Sequence, residues 1–582
     1  MDGGHGMIAD LIEKAKNINE VDFILKNGTI VDVFNLDTFQ SDVAIYKGYI
    51  VGIGQFESKG KVIDVSNKFI IPGLIDGHIH IESTMVRPSE FSRALIQHGI
   101  TTVVTDPHEI ANVSGLEGIK FMINDSKGSI VDILVKLPSS VPATPFENNG
   151  ATLTSQDLQQ LLEYNEVIGL AEVMDYPSVV NIEPDMMSKI KMCNEKKFVI
   201  DGHAAGLSDI ELDIYSIASI RNDHEAVNAE EAVKRVQKGF NVLVREGSAA
   251  KDLIAILPVI TEKNSTRFSF CTDDKHLDEL VTEGTIDHAV RLAIKNGLDP
   301  ILAIQMATIN NAHCHRIENK GAVAPGYIAD ILVVDDLHDL TIDRVIKNGK
   351  IIDMNNLHKV EKIEIPDSIM HSVNIQSISK NKLQIPLKEG QQANIIEILP
   401  GKLITRKRLD VVDVKDGDFQ SNPKKDYIKM VVCERHHQTG NVGLGIVHGT
   451  KLKSGAIAST VAHDSHNIVA AGTNDDDILI AIEHLRKTQG GLVIVRNGKI
   501  VAEVPLRIAG LMSDQPYEKV AEQLLHLHKQ LEEVVDHQSQ NLFMVLSFLC
   551  LPVIPDIKLT DKGLFDVKKF THINIEEPVS PS

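Results

Sequence analysis

The sequence predicts an α/β protein: a (β/α)8, TIM-like barrel, set into a small β domain built from the segments that flank it and followed by a C-terminal α/β domain. Three observations lead there. Between residues 71 and 326, eight short apolar runs that end in polar or ionisable residues alternate with helical-looking stretches, as parallel βα units require. Strand-and-turn patterning precedes that region and returns after it. At 582 residues the chain is far too long for a single hydrophobic core, so several domains are expected.

Residues 1–20 are expected to form an N-terminal helical segment; MDGGHGMIADLIEKAKN lacks the basic flank and apolar core that a secretory signal would need. DFILKNGTIVDVF, SDVAIYKGYIVGIG and KVIDVSNKFI then read as strands punctuated by Asn-Gly and Lys-Gly turns. The same pattern recurs in ADILVVDDLHDLTIDRVIKNGKIID, so residues 21–70 and 327–360 are expected to share one small β domain around the barrel at 71–326. The barrel runs are FIIPGLIDGHIH, GITTVVTDP, DILVKLPSSVP, VIGLAEVMD, KFVIDGHA, SIRNDHEA, NVLVREG and RFSFCTDD. Residues 361–582 form the C-terminal domain, with β-like runs such as KMVVCERHH and GGLVIVRNGKIVAEVPL and a later helix, EKVAEQLLHLHKQLEEVV. The longest apolar run, Leu542 to Ile554, contains Pro552 and falls short of the roughly 20 residues that span a bilayer. It reads as a buried helix.

Asp and Glu outnumber Lys and Arg by 80 to 59, and a net charge of −21 repels nucleic-acid phosphates and anionic lipid over most of the surface. Nucleic acid and membrane are therefore not expected partners; a small-molecule substrate is. Five scattered cysteines contain no Cys-x-x-Cys pair, which argues against a disulfide framework or a structural zinc site and for a reducing, cytoplasmic setting. The glycine-rich GNVGLGIVHG opens no strand-to-helix phosphate loop.

The chemistry gathers at the ends of the barrel runs, where catalytic groups of such barrels sit. In DGHIH, His78 and His80 are two residues apart, a spacing that turns both imidazoles to one side of a strand. Glu172 ends the fourth run, His203 the fifth, His224 the sixth and Asp273 the eighth. Each has a plain alternative: a solvated carboxylate, satisfied turn histidines, a helix N-cap. Six metal-competent groups on one rim are a different matter, since together they can hold cations.

His-x-His, a strand-four acid, two further strand-end histidines and a strand-eight Asp resemble the metal site of the amidohydrolase superfamily, over the whole region 20–355. HIHIESTMV, TDPHEIANV, AEVMD, DGHA, RNDHE and CTDDKH, with HHQTGN and AHDSHN in the tail, resemble the adenine deaminases within it. The resemblance implies a metal-dependent hydrolase that converts adenine to hypoxanthine and ammonia, in purine salvage or nitrogen use. It implies His78, His80, Glu172, His203, His224 and Asp273 as ligands of a binuclear Mn2+ or Fe2+ site. Glu172 would bridge the ions, and Asp273 would act with it in catalysis. A homo-oligomer, such as a homodimer, is expected. The alternatives are another amidohydrolase, such as an N-acetyl-sugar deacetylase or a cyclic amidase, and more remotely a metal-free assembly protein with the same barrel. Cytidine-deaminase-type zinc enzymes need a Pro-Cys-x-x-Cys pair that this chain lacks.

Asp106, His108 and Glu109, after the second run, are candidates to orient the substrate, tune the water or hold a further ion, and Asp106 is equally a candidate helix cap. Either Asp273 or Asp274 can be the ligand; Asp273 is chosen because it follows FSFCT directly. In the tail, His436, His437, His463, Asp464, His466 and Asn467 gather in CERHHQTGN and VAHDSHN. The C-terminal domain is expected to cover the barrel mouth and to lend polar groups to the substrate pocket, with surface histidines as the alternative.

Overall fold

The computed structural model of the protein describes residues 2–357, 363–536 and 541–577, with side chains from residue 6 onward. Eight strands, Leu74–Ile79, Ile100–Thr105, Asp132–Leu137, Val167–Val173, Val199–Gly202, Ile220–Asp223, Asn241–Arg245 and Phe268–Cys271, lie side by side in chain order, every neighbouring pair parallel. Each of the eight apolar runs contains one of them. Parallel barrel strands are covered on both faces, so they read as continuous apolar stretches rather than alternating ones. The second strand, ITTVVT, shows why: all six residues are β-branched and all are buried.

The barrel closes between its eighth and first strands at one residue. The Asp273 N–H donates to the His78 carbonyl at 2.9 Å, and the Asp273 carbonyl accepts from the His80 N–H at 3.3 Å. Beneath that seam the Asp76 carboxylate accepts from the Thr272 N–H at 3.0 Å, a second tie between the two strands. Burial pushes the Asp76 carboxyl up to about 7.

Chain segments on both sides of the barrel share one eight-stranded sheet. Ile331–Val334, which follows the barrel, runs antiparallel to Phe69–Pro72, which precedes it, with Ile331 opposite Pro72 and Val334 opposite Phe69. Lys320 and Lys347 each reach Asp132, at the start of the third barrel strand, at 2.6 Å. These pairs fasten the sheet to the closed end of the barrel.

The C-terminal region forms a second eight-stranded sheet, ordered Thr405–Val411, Gln392–Ile398, Val442–His448, Tyr427–Cys433, Ile468–Gly472, Ala456–Ser459, Gly491–Arg496, Lys499–Pro505. The helix Asp475–Thr488 covers one face through Ile478, Ala481, Ile482 and Leu485. The other face packs into the same continuous apolar core as the barrel helices. The helix Tyr517–Val534 crosses this boundary, where Arg93 pairs with Glu518 at 2.6 Å and the Tyr517 hydroxyl accepts from Gln97 at 2.7 Å. Of the run Leu542 to Ile554, only Leu542–Phe548 is helical, and most of its side chains are buried. Among the described residues no helix is long and apolar enough to cross a membrane.

Candidate metal centre

His78 occupies the next-to-last position of the first strand and His80 follows its end. Their Nε2 atoms lie 3.2 Å apart, as the period-two spacing requires. The Asp106 carbonyl accepts from His80 Nδ1 at 3.1 Å, which turns Nε2 toward the barrel axis. His78 is held differently, by stacking on His224 with ring centroids 4.2 Å apart.

Glu172, on the fourth strand, sits between two sets of imidazoles. Its Oε1 lies 3.3 Å from His80 Nε2 and 4.0 Å from His78 Nε2; its Oε2 lies 2.7 Å from His203 Nδ1 and 3.3 Å from His224 Nε2. Burial raises a carboxyl, but here the charge of His224 and hydrogen bonds from His203, His224 and His80 outweigh it and hold Glu172 well below the usual range. Burial likewise opposes charge on His203, yet Glu225 and Glu172 raise it to about 9.

Asp273 faces the same space from the seam. Its Oδ1 is 3.2 Å from His80 Nε2 and 3.6 Å from His78 Nε2. Its φ of 64° is left-handed, a conformation Asp tolerates better than most residues and one that clusters at functional sites. The helix that follows, Leu277–Glu283, is preceded by His276, so Asp273 is not its cap. Asp274 lies beside it, with one carboxylate oxygen accepting a hydrogen bond from the Ser83 hydroxyl. Asp273 therefore approaches both imidazoles, and Asp274 stands at the edge.

The sequence reading passed over Arg245, which ends the seventh strand. Its Nη1 lies 3.4 Å from Asp273 Oδ2 and bonds Glu225, while Nη2 lies 2.9 Å from Asp252. The signal was present in NVLVREG, since a cation ending a barrel strand points to the same rim. Ser83, inside HIHIESTMV, carries no such signal, because a hydroxyl has no distinguishing spacing.

His108 Nδ1 lies 3.1 Å from Asp106 Oδ2 and 3.6 Å from Glu172 Oε1, so both residues after the second strand join the rim. Asp106 does not cap the helix His108–Ser126, which begins after Pro107 without a side-chain cap. Glu109 meets the C-terminal domain: its Oε1 is 3.4 Å from His463 Nδ1, and ligand atoms of Glu109, His463 and His466 lie within 4.8 Å of one another. Asp464 Oδ1 reaches to 3.8 Å from His108 Nε2. The four tail histidines thus divide. His463 is at the rim and His466 is buried behind it, whereas His436 donates to the Ser465 carbonyl at 2.7 Å and His437 to the Asn149 carbonyl at 2.8 Å. The latter two fasten loops.

The donor set suits divalent cations. Groups that could hold an ion form from His78, His224 and Asp273, from Glu172, His203 and His224, from His80, Asp106, His108 and Glu172, and from His80, Asp273 and Asp274. Glu172 and Asp273 are buried carboxylates, with the neighbouring imidazoles and, at Asp273, the Arg245 guanidinium against them, and a cation in their midst would lower the cost of that burial further. Imidazole with carboxylate and no thiolate is a set for manganese, iron or zinc.

Residues 69–352 match the amidohydrolase family, and residues 402–571 match the adenine deaminase C-terminal domain. The chain is 50% identical to the adenine deaminase of Lysinibacillus sphaericus over 562 residues, 96% of this chain and 97% of that one. It is 48% identical to the adenine deaminase of Geobacillus kaustophilus over 578 residues, 98% and 100% of the two chains. Among solved structures it is similar to a β-aspartyl dipeptidase from Fervidobacterium islandicum, at 16% identity and a TM-score of 0.44 over 59% of this chain and 98% of the other. Matches this close over almost the full length, on a barrel whose rim carries this metal-competent cluster, place the chain in the adenine deaminase family of amidohydrolases.

Proposed function

We propose that the protein hydrolyses adenine to hypoxanthine and ammonia, with Glu172 bridging two divalent cations. The observation that carries the bridging role is the division of Glu172: one oxygen toward His78 and His80, the other toward His203 and His224. His78, His80 and Asp273 would hold one ion, and His203 and His224 the other. When bound, such a pair supplies hydroxide at neutral pH by lowering the pKa of water from near 16 toward 7.

The remaining steps belong to the chain. Asp273, at the centre of the cluster, moves two protons in turn: the one the water gives up goes to the ring nitrogen as the C6–O bond forms, and the one left on that oxygen goes to the amine as C6=O forms, so that ammonia leaves with the C6–N electron pair. Arg245 fixes the carboxylate that does this and keeps it ionised between transfers. The C-terminal domain covers the rim through His463 and Asp464, and so excludes bulk water from the developing charge. Manganese or ferrous iron is the native metal in this reading, and the enzyme works in the cytoplasm. A homo-oligomer, taken as a homodimer, completes this reading.

An ammonia-release assay over purines, nucleosides and cyclic amides, with metal analysis of the same sample, tests the proposal. Adenine is expected to be the preferred substrate, with activity lost to chelator and restored by manganese or ferrous iron. Full activity in metal-free protein, or preference for an amide, would overturn it.

A further inference from the structure

The two halves of the metal-competent cluster are unequally supplied. His78, His80 and Asp273 stand around one oxygen of Glu172, whereas His203 and His224 alone face the other. A further carboxylate stands beside that second pair. Glu225 follows His224 directly, and its Oε1 lies 3.4 Å from His224 Nε2 and 3.6 Å from His203 Nδ1. Both distances exceed the roughly 2.7–3.2 Å of an N–H···O hydrogen bond. They match instead the separation of donors that share an ion, since two atoms each about 2.1 Å from a divalent cation, at an angle near tetrahedral, stand about 3.4 Å apart. Each of these two imidazole nitrogens therefore faces two carboxylate oxygens, one from Glu172 and one from Glu225.

The local chain holds this arrangement in place. Asp223 ends the sixth barrel strand, and its carboxylate accepts from the Ala204 N–H at 2.7 Å and from the Glu225 N–H at 3.1 Å. One group thus fixes the backbone next to His203 and next to His224, and the buried Arg235 guanidinium bonds that group in turn. The Glu225 side chain is 12% exposed, and its Oε1 also accepts from Arg245 Nη1. Arg245 already has Asp252 and Asp273 as partners. Three carboxylates around one guanidinium leave negative charge in excess, which a divalent cation beside Glu225 would offset.

We infer that Glu225 is a ligand of the second ion, joining His203, His224 and Glu172 in a set of two imidazoles and two carboxylates. The inference rests on the binuclear reading given above. It makes the two positions alike, each with two imidazoles, one oxygen of Glu172 and one carboxylate of its own. A further hard oxygen donor shifts the preference of the second position toward manganese. Arg245 then links the two positions, because it bonds Glu225 on one side and lies 3.4 Å from Asp273 on the other.

The test is Mn2+ binding to full-length protein stripped by chelator, read by equilibrium dialysis over a range of MnCl2 with metal analysis of the retained protein. The unmodified protein should take up about two ions per chain; a smaller number removes the binuclear reading, and two leave the inference to be decided by the variants. Glu225→Gln keeps the side-chain shape and, through its amide oxygen, an acceptor for Arg245, but it loses the charged ligand. Its second ion should bind about tenfold more weakly or worse, because even partners that act through a ligand cost about 10–100-fold in metal affinity. The first ion and the thermal midpoint of the metal-free protein should stay as they were. Glu225→Asp should recover part of the lost affinity, and Glu225→Ala carries the same test should Glu225→Gln fold poorly. His203→Asn identifies the position concerned: it weakens the second ion by itself, and adding Glu225→Gln to it should leave the remaining ion unaffected. Unchanged affinity for both ions in Glu225→Gln, or a loss that falls on the ion remaining in His203→Asn, would overturn the inference.

Discussion

Asp273→Asn separates proton transfer from metal holding and from folding. The amide keeps the shape of the carboxylate and, through its oxygen, the contacts of 3.2 Å and 3.6 Å toward His80 and His78, but it cannot accept and return a proton. A positioned acid–base group is worth about 10²–10⁴ in rate, so turnover should fall at least about a hundredfold, or roughly 2.7 kcal/mol of barrel-bound transition-state stabilisation. Folding should survive. Arg245 loses one partner but keeps Glu225 and Asp252, so no buried cation is stranded, which is the event that costs roughly 3–5 kcal/mol. The seam also survives, because its hydrogen bonds use the backbone of residue 273. The assay is ammonia release under saturating adenine, with metal content and thermal midpoint measured on the same preparation. Turnover near that of the unmodified protein, at full metal content, would refute the role given to Asp273.

Glu172→Gln should lower bound metal below about two ions per chain and abolish most activity, because one carboxylate is asked to serve both halves of the site; metal analysis after dialysis shows whether occupancy falls. His463→Ala removes the Phe548 stack and the contact with Glu109, and adenine turnover should drop about tenfold or more; unchanged kinetics would make His463 a bystander. Lys558, whose burial brings its amine down to about 7, gives a pH signature. The unfolded chain holds that proton up to the ordinary lysine value, so between pH 7 and about 10 it binds more protons than the folded state, and stability gains with rising pH. Lys558→Met should flatten that rise in denaturant titrations at several pH values; an identical pH profile in both proteins would contradict the assignment.

The barrel was readable because parallel strands covered on both faces leave unbroken apolar stretches, as ITTVVT does, and because polar or ionisable residues fall at the end of each stretch. His78 and His80 were readable from a spacing of two at the end of an apolar run, together with the further ionisable groups that end later runs. Other features depend on distant parts of the chain meeting. Nothing in NVLVREG says that Arg245 will face Asp273, 28 residues later, and nothing in HHQTGN says that His436 and His437 will donate to backbone carbonyls. A charged residue at a strand end carries its direction but not its partner. The division of the tail histidines likewise follows from how the second sheet docks on the rim, which composition does not encode.

The sheet shared by both flanks of the barrel sets an order of events during synthesis. Phe69–Pro72 pairs with Ile331–Val334, so from Pro72 to Ile331 the ribosome must add roughly 260 residues before that partner exists. At about 5–20 residues per second, the first flank waits on the order of 13–50 s with one edge of Phe69–Pro72 unpaired, its other edge being paired to Phe23–Asp32, while the barrel emerges and begins to condense. Each unpaired strand edge is a place where another chain can add, and the hazard lasts until the returning strand arrives. The pairing thus works as a completion signal: the first flank is sealed only once all eight barrel strands have been made.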